Sequence, residues 1–394
     1  SGKGYLEYRG LADLTSVSGA TGTLLLDPTD ITITGAGNDS APTFGSFTLG
    51  VFDAGANNVS TIFIGNGAGD TNSTLLKQLA SANVVITTAS AGAAPSGGDL
   101  TVSDVINYSS TNSLTLTAGN LLTIGSAITN SGAGDVIFNA GAAASLNASV
   151  STLGNVSVTT GTTLGLGANL SGATVTLDHT GALTQTGGTV TAGTLTLQGG
   201  GAVATGGTPL VTDLGTLTLN KSGGNTFVSD AGGLTVQGST GANLTVTAAG
   251  AVDFGVTSVT GTLGVTAGSH ITQTGALTVT GATTVAVTAA GSDILLGTQA
   301  NDLGTTAPTF GGTTSNIRDV SLRNTNAGAT LPSFAGLSNL RSLTLAFNNT
   351  AIALPALTLA TGGNLSVTAG GPISQAGPLV VPGTASFTAG ANTI

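Results

Sequence analysis

The chain has 394 residues, only 6% of them charged and 4% aromatic, with seven Lys and Arg against seventeen Asp and Glu. An ordinary soluble domain is roughly a quarter charged, so threonine, serine and asparagine must carry the solvation, while the wealth of Val, Ile and Thr argues against disorder. The basic residues Lys3, Arg9, Lys77, Lys221, Arg318, Arg323 and Arg341 are scattered, which argues against nucleic acid and anionic membrane surfaces as partners.

In chain order, "SGKGYLEYRG" (1–10) has neither the charged nor the apolar region of a signal peptide, so the sequence reads as an interior piece or a processed product. "DPTD" (27–30) reads as a turn, with Pro28 fixing φ and Asp27 and Asp30 bonding their own backbone. "GNGAGD" (65–70) is one imperfect copy of a calcium-binding nonapeptide that works in tandem, so Asp70 is a weak ligand. The same glycines lack the Lys-Ser/Thr of a phosphate loop. "NSTLLKQLASANVVITT" (72–88) offers Ser73 as an N-cap and Leu75, Leu76 and Leu79 on one face, which predicts a short helical decoration near 73–81 before a strand at 83–88.

From residue 103 onward the text is repetitive. "SLTLTAG" (113–119), "NVSVTTG" (155–161), "TLTLQGG" (194–200) and "GTLTLN" (215–220) alternate strictly between aliphatic and hydroxyl residues, the mark of half-buried strands. Glycines between them mark tight corners. "LGVTAGSHITQTGALTVTG" (263–281) aligns with "LSVTAGGPISQAGPLVVPG" (365–383), placing Thr272-Gln273 over Ser374-Gln375, with Thr184-Gln185 as a third copy. Within 314–347, where Arg318, Arg323 and Arg341 gather, "LSNLRSLTL" is a single phrase like a leucine-rich repeat, a weak sign because such repeats come in series.

An antiparallel meander and a parallel solenoid share this pattern. Meanders favour Asn-Gly or Asp-Gly turns between longer strands, whereas these strands are short and the turns heterogeneous. The expectation is an all-β, three-sided parallel helix with about twenty residues per coil, some eighteen to twenty coils and about 4.8 Å per coil. It runs as one continuous solenoid over 1–394, with N-terminal coils and a helix or loop insertion in 1–102 and repeat coils in 103–394. Leu114, Leu116, Leu195, Leu197, Val265, Leu277 and Val279 should point inward, and no apolar run approaches the length of a spanning helix.

Chemistry finds little purchase. Glu7 is the sole glutamate, and the histidines are His179 and His270. In a strand, Asp178 and His179 point to opposite faces, so both histidines and Glu7 are expected in solvent-facing or turn roles. Carboxylates come about one per coil, Asp302 among them at a turn, unlike the clustered faces of polysaccharide-cleaving β-helices. No catalytic, cofactor-binding or metal residue is assigned, and no enzyme is expected. The pairs Thr115/Thr117, Thr194/Thr196 and Thr278/Thr280 fit β-propensity and a solvated face better than a water-ordering array. Sequons at Asn58, Asn155, Asn243 and Asn364 fit asparagine at coil corners. Tyr5, Tyr8 and Tyr108 with two histidines offer little to haem. The absence of cysteine is consistent with export in an unfolded state.

"SGKGYLEYRGLADLTSVSGATGTLLLDPTDITIT" (1–34), with "GTLLLDP" its most specific phrase, resembles the segment after the secretion domain in exoproteins of the two-partner secretion, filamentous haemagglutinin-like family. "STLLKQLASANVVITTASAGAAPSGGDLTV" (73–102) is similar to that family's helix-then-strand insertion, and "GGNLSVTAGGPISQAGPLVVPGTASFTAGANTI" (362–394) to its adhesin repeat. The resemblance implies a right-handed parallel β-helix, export through an outer-membrane partner and a secreted place at the cell surface or beyond. The role expected is a structural or adhesive rod, building a fibre by self-association through unpaired strand edges or binding a host or neighbouring cell surface or its glycans. The alternative is the stalk of a ligand-binding exoprotein, for haem acquisition or toxin delivery.

Overall fold

A computed structural model describes residues 23–26, 30–34, 47–48, 59–63, 74–88 and 98–390. The readings placed on Lys3, Tyr5, Glu7, Tyr8, Arg9, Asp27, Asn58, the 65–70 loop, Ser73 and the last four residues lie outside the described residues. The chain divides into two compact units, Ser1–Ala202 and Val203–Ile394. Each is a stack of parallel strands, the fold of a β-solenoid, with about 14 turns among the described residues.

In the first unit three columns of inward residues run up the stack. One joins Val84, Leu114, Val136, Val156, Val175 and Leu195. The second joins Leu100, Leu122, Ala144, Leu164 and Leu183, and the third Ile106, Ile128, Val150, Leu170 and Val190. All of these are at most 2% exposed. Period-2 alternation turns each aliphatic residue into the core and each hydroxyl out, and a fully buried Leu or Val contributes about 1.5–3 kcal/mol. One coil encloses too little to hold itself, so stability comes from stacking.

The helix forms at Thr74–Ser81 and packs on the strands Asn83–Thr87 and Ile106–Tyr108. Leu75 and Leu79 are buried, and the Leu79 carbonyl accepts from Ser110 Oγ (2.6 Å) and Asn112 Nδ2 (2.9 Å). Asp30 opens the strand Asp30–Thr34 instead of sitting in a turn.

In the second unit, Leu234, Val252, Ile271, Ile294, Val320, Leu343, Leu365 and Ala385 follow one another in register. Cross-coil partners lie 19 residues apart at Thr218 and Gln237 but 25 apart at Asp293 and Arg318. The described residues form about 14 turns, where eighteen to twenty were expected over all 394, and loops between strands, such as 325–341, lengthen individual coils. Leu337, Leu340, Leu343 and Leu345 of the leucine-rich phrase are all buried, and Ser342–Phe347 pairs in parallel with Ile317–Asn324 and Leu365–Ala369. That phrase is one more coil of the same stack. Among the described residues, no helix is long and apolar enough to cross a membrane.

Candidate functional site

Polar side chains that enter the stack are spent on its corners. Asn130 is 2% exposed; its Oδ1 accepts from the backbone N–H of Ser110 (2.9 Å) and Gly132 (3.0 Å), and its Nδ2 donates to the Ser110 (3.0 Å) and Gly134 (2.9 Å) carbonyls. Asp230 accepts from Thr212 Oγ1 (2.8 Å) and from the N–H groups of Leu214 (3.0 Å) and Gly232 (2.9 Å). Corners turn backbone groups away from the ladder, and a buried unpaired one costs about 1–3 kcal/mol; an inward amide or carboxylate removes that penalty.

The repeated glutamine has the same task. Gln185, Gln273 and Gln375 donate from Nε2 to the carbonyls of Gly188 (3.1 Å), Gly275 (3.1 Å) and Gly377 (2.7 Å). Gln273 also exchanges two amide hydrogen bonds with buried Asn301, at 3.0 and 2.9 Å. Outside the corners, asparagine and aspartate link coil to coil. Asn243 Oδ1 accepts from Thr262 N (2.8 Å), Asn364 Oδ1 from Thr384 N (2.9 Å), and Asp135 Oδ1 from Asn155 N (2.8 Å). Three of the sequon asparagines thus take part in stacking.

His179 corrects the solvent-facing expectation: it is 0% exposed, with Nδ1 2.7 Å from the Gly181 carbonyl. It does hold a turn, from the inside. Asp178 is half-buried on the opposite face, as alternation requires. His270 belongs to the other unit and is part of a row of charge-capable groups. Its Nδ1 accepts from Asp293 N (3.0 Å) and lies 3.4 Å from Asp293 Oδ2. Arg318 holds Asp293 in a fork, with Nε to Oδ1 at 2.9 Å and Nη2 to Oδ2 at 2.6 Å. Arg341 does the same to Asp319 through Nε (3.0 Å) and Nη2. Hydrogen bonding to Asp293 and to Asp319 raises the pKa of Arg318 and Arg341 respectively above the ordinary guanidinium value. Opposite charges at coil spacing neutralise one another, so the row presents no net field. Its signal was available: Asp and Arg 25 and 22 residues apart.

Among the described residues, no three His, Asp or Glu side chains gather as a metal would need. Asp302 accepts from Gly304 N (3.0 Å) and Asn326 Nδ2 (2.9 Å), a turn role. Burial pushes the Tyr108 phenol well above its ordinary pKa of 10.0, with the Asp135 charge adding to the shift, and its hydroxyl has no hydrogen-bond partner among the described residues.

The second unit also carries a concave site. A cleft of about 370 Å³ is lined by Leu354, Ile373, Ser374, Gln375, Leu379 and Phe387. It lies in the last described coil.

Residues 241–310 and 340–394 match a family described as Repeats of unknown function (DUF5649). No curated protein and no solved structure matches the chain.

Proposed function

We propose that the chain is a non-enzymatic structural or adhesive module of a secreted, cell-surface or extracellular protein, exported through an outer-membrane two-partner secretion transporter. The observation that carries this reading is the fate of the polar groups. Asn130, His179, Asp230, Gln273 and Asn301 are turned to the corners of the stack, and Asp293 and Asp319 are held by arginines. A catalytic constellation needs convergent, uncommitted groups with matched pKa values. A stack that spends its polar side chains on itself is suited to presenting surface, and its repetition supports fibre formation. A stalk that carries a separate ligand-binding or toxin domain would use the same properties.

The test is binding of the purified chain, coupled to beads, to epithelial cells and bacterial cells, beside assays for hydrolysis of glycans and peptides. Adhesion or fibre formation without turnover is the expected result. Turnover that disappears in His270→Ala with unchanged melting would contradict the proposal.

A further inference from the structure

A recurring rung ties one coil to the next at strand entries: a backbone N–H of the upper coil is accepted by a side chain of the lower one. Asn169 Oδ1 accepts from Thr189 N (3.0 Å), Asn243 Oδ1 from Thr262 N (2.8 Å) and Asn364 Oδ1 from Thr384 N (2.9 Å). Aspartate serves equally, with Asp135 Oδ1 taking Asn155 N (2.8 Å) and Asp319 Oδ1 taking Ser342 N (3.1 Å). In every case the two residues stand at matching places beside strands paired in register. Amide and carboxylate oxygens keep this acceptor role throughout the neutral and mildly acid range.

One rung is built differently. His270 occupies the same place, immediately before Ile271, and its Nδ1 accepts from Asp293 N (3.0 Å). An imidazole nitrogen accepts only while it carries no proton, so this bond requires the neutral ring with its hydrogen on Nε2. Backbone support is thin here. Among the described residues, Ile271 and Ile294 are the single pair in register between Ile271–Gln273 and Ser292–Leu296, and the register against the following strand shifts between Ser292 and Asp293.

The charged groups around the ring come from three strands. Asp293 places Oδ2 3.4 Å from Nδ1, and Arg318 forks onto both Asp293 oxygens from the next coil. Asp319 lies 3.6 Å from Arg318 Nε and is held by Arg341. On the coil below, the Asp253 carboxylate is taken up by Thr272 Oγ1 (2.7 Å) and Thr274 Oγ1 (2.8 Å).

We propose that His270 is an acid-sensitive rung: a proton on Nδ1 releases the Asp293 amide and turns the ring's new donor onto Asp293 Oδ2, in competition with Arg318. The His270 side chain is 45% exposed, so solvent protons reach it, and imidazole is the side chain whose charge ordinarily changes between about pH 8 and pH 5. The hydrogen bond lost and the exposed ion pair gained are similar in size, so the change is local and leaves the stack folded. Arg318 belongs to the segment 311–339 that separates the two stretches matched by the repeat family, and the rung therefore couples the clamp on that segment to pH. The inference does not rest on the adhesive reading, since its test follows single amides of the isolated chain.

That test is amide exchange of the isotope-labelled full chain by NMR at about pH 7.5 and about pH 5, where carboxylates stay ionised, with rates corrected for the chemical effect of pH. The Asp293 amide is expected to lose protection about tenfold on acidification, while the amides of Thr262 and Thr384, held by Asn243 and Asn364, keep theirs. His270→Asn puts an oxygen acceptor where Nδ1 stands, as the stack does elsewhere, and should protect Asp293 equally at both pH values. His270→Ala should leave it unprotected at both. Unchanged protection of Asp293 in the unsubstituted chain, or an equal loss in His270→Asn, overturns the proposal.

Discussion

At the scale of single residues, alternation decides nearly everything. Leu277 and Val279 are buried and Thr278 between them is exposed, so Leu277→Asp or Val279→Asp puts an unpaired charge in the core, at a cost of several kcal/mol. Thr278 faces solvent but bridges to Asp302, so Thr278→Lys is a better control than a carboxylate and is expected to stay within about 0.5 kcal/mol. Urea titrations of the three variants check this; equal losses at 278 and 279 would refute the inward-outward assignment. Tyr108 gives a pH prediction. Its folded pKa lies above the unfolded value, so the unfolded chain releases the phenol proton first. Stability is full below pH 10.0 and falls as pH rises beyond it, by up to about 1.4 kcal/mol per pH unit. Tyr108→Phe should abolish that proton's share of the slope and, because the hydroxyl has no partner among the described residues, cost less than about 1 kcal/mol at neutral pH. His179 shows what a stricter use of alternation would have found. It shares parity with Val175 and Leu177, both 0% exposed, and the pattern that buries them buries it.

At the scale of elements, the strands were legible in the sequence and the coil lengths were not. Asn301 explains why. It accepts from Leu277 N and bonds Gln273, 24 and 28 residues earlier, and donates to the Leu296 carbonyl (2.8 Å). Such partners are predictable only with the length of the intervening coil in hand, and loops such as 297–308 vary without disturbing the strands. The repeated Gln was visible as a repeat, but its task at the glycine carbonyl required the corner geometry. Asn301→Leu keeps the bulk and orphans an N–H, a carbonyl and the Gln273 amide, so a loss of about 2–5 kcal/mol is expected by chemical denaturation. Gly238 sits where the register between Leu234–Thr240 and Val252–Val259 shifts. Its φ is +96°, and an added Cβ would lie 2.1 Å from the Leu219 carbonyl oxygen. Gly238→Ala should therefore lower stability by more than the 1 kcal/mol or so of a strained backbone alone; an unchanged melting temperature would show that the corner relaxes.

At the scale of the whole molecule, low charge and repetition act together. Hydroxyl and amide side chains solvate the outer faces, and the second unit's arginines are committed to Asp293, Asp319 and Asn348. Amide hydrogen exchange on the whole chain, compared at low and high protein concentration, tests the account most directly. The amides of Leu277 and Val279, which donate to Asn301 Oδ1 and to the Asp302 carbonyl, should be strongly protected at both concentrations. Rapid exchange at Leu277 and Val279 would contradict the stacked-coil account.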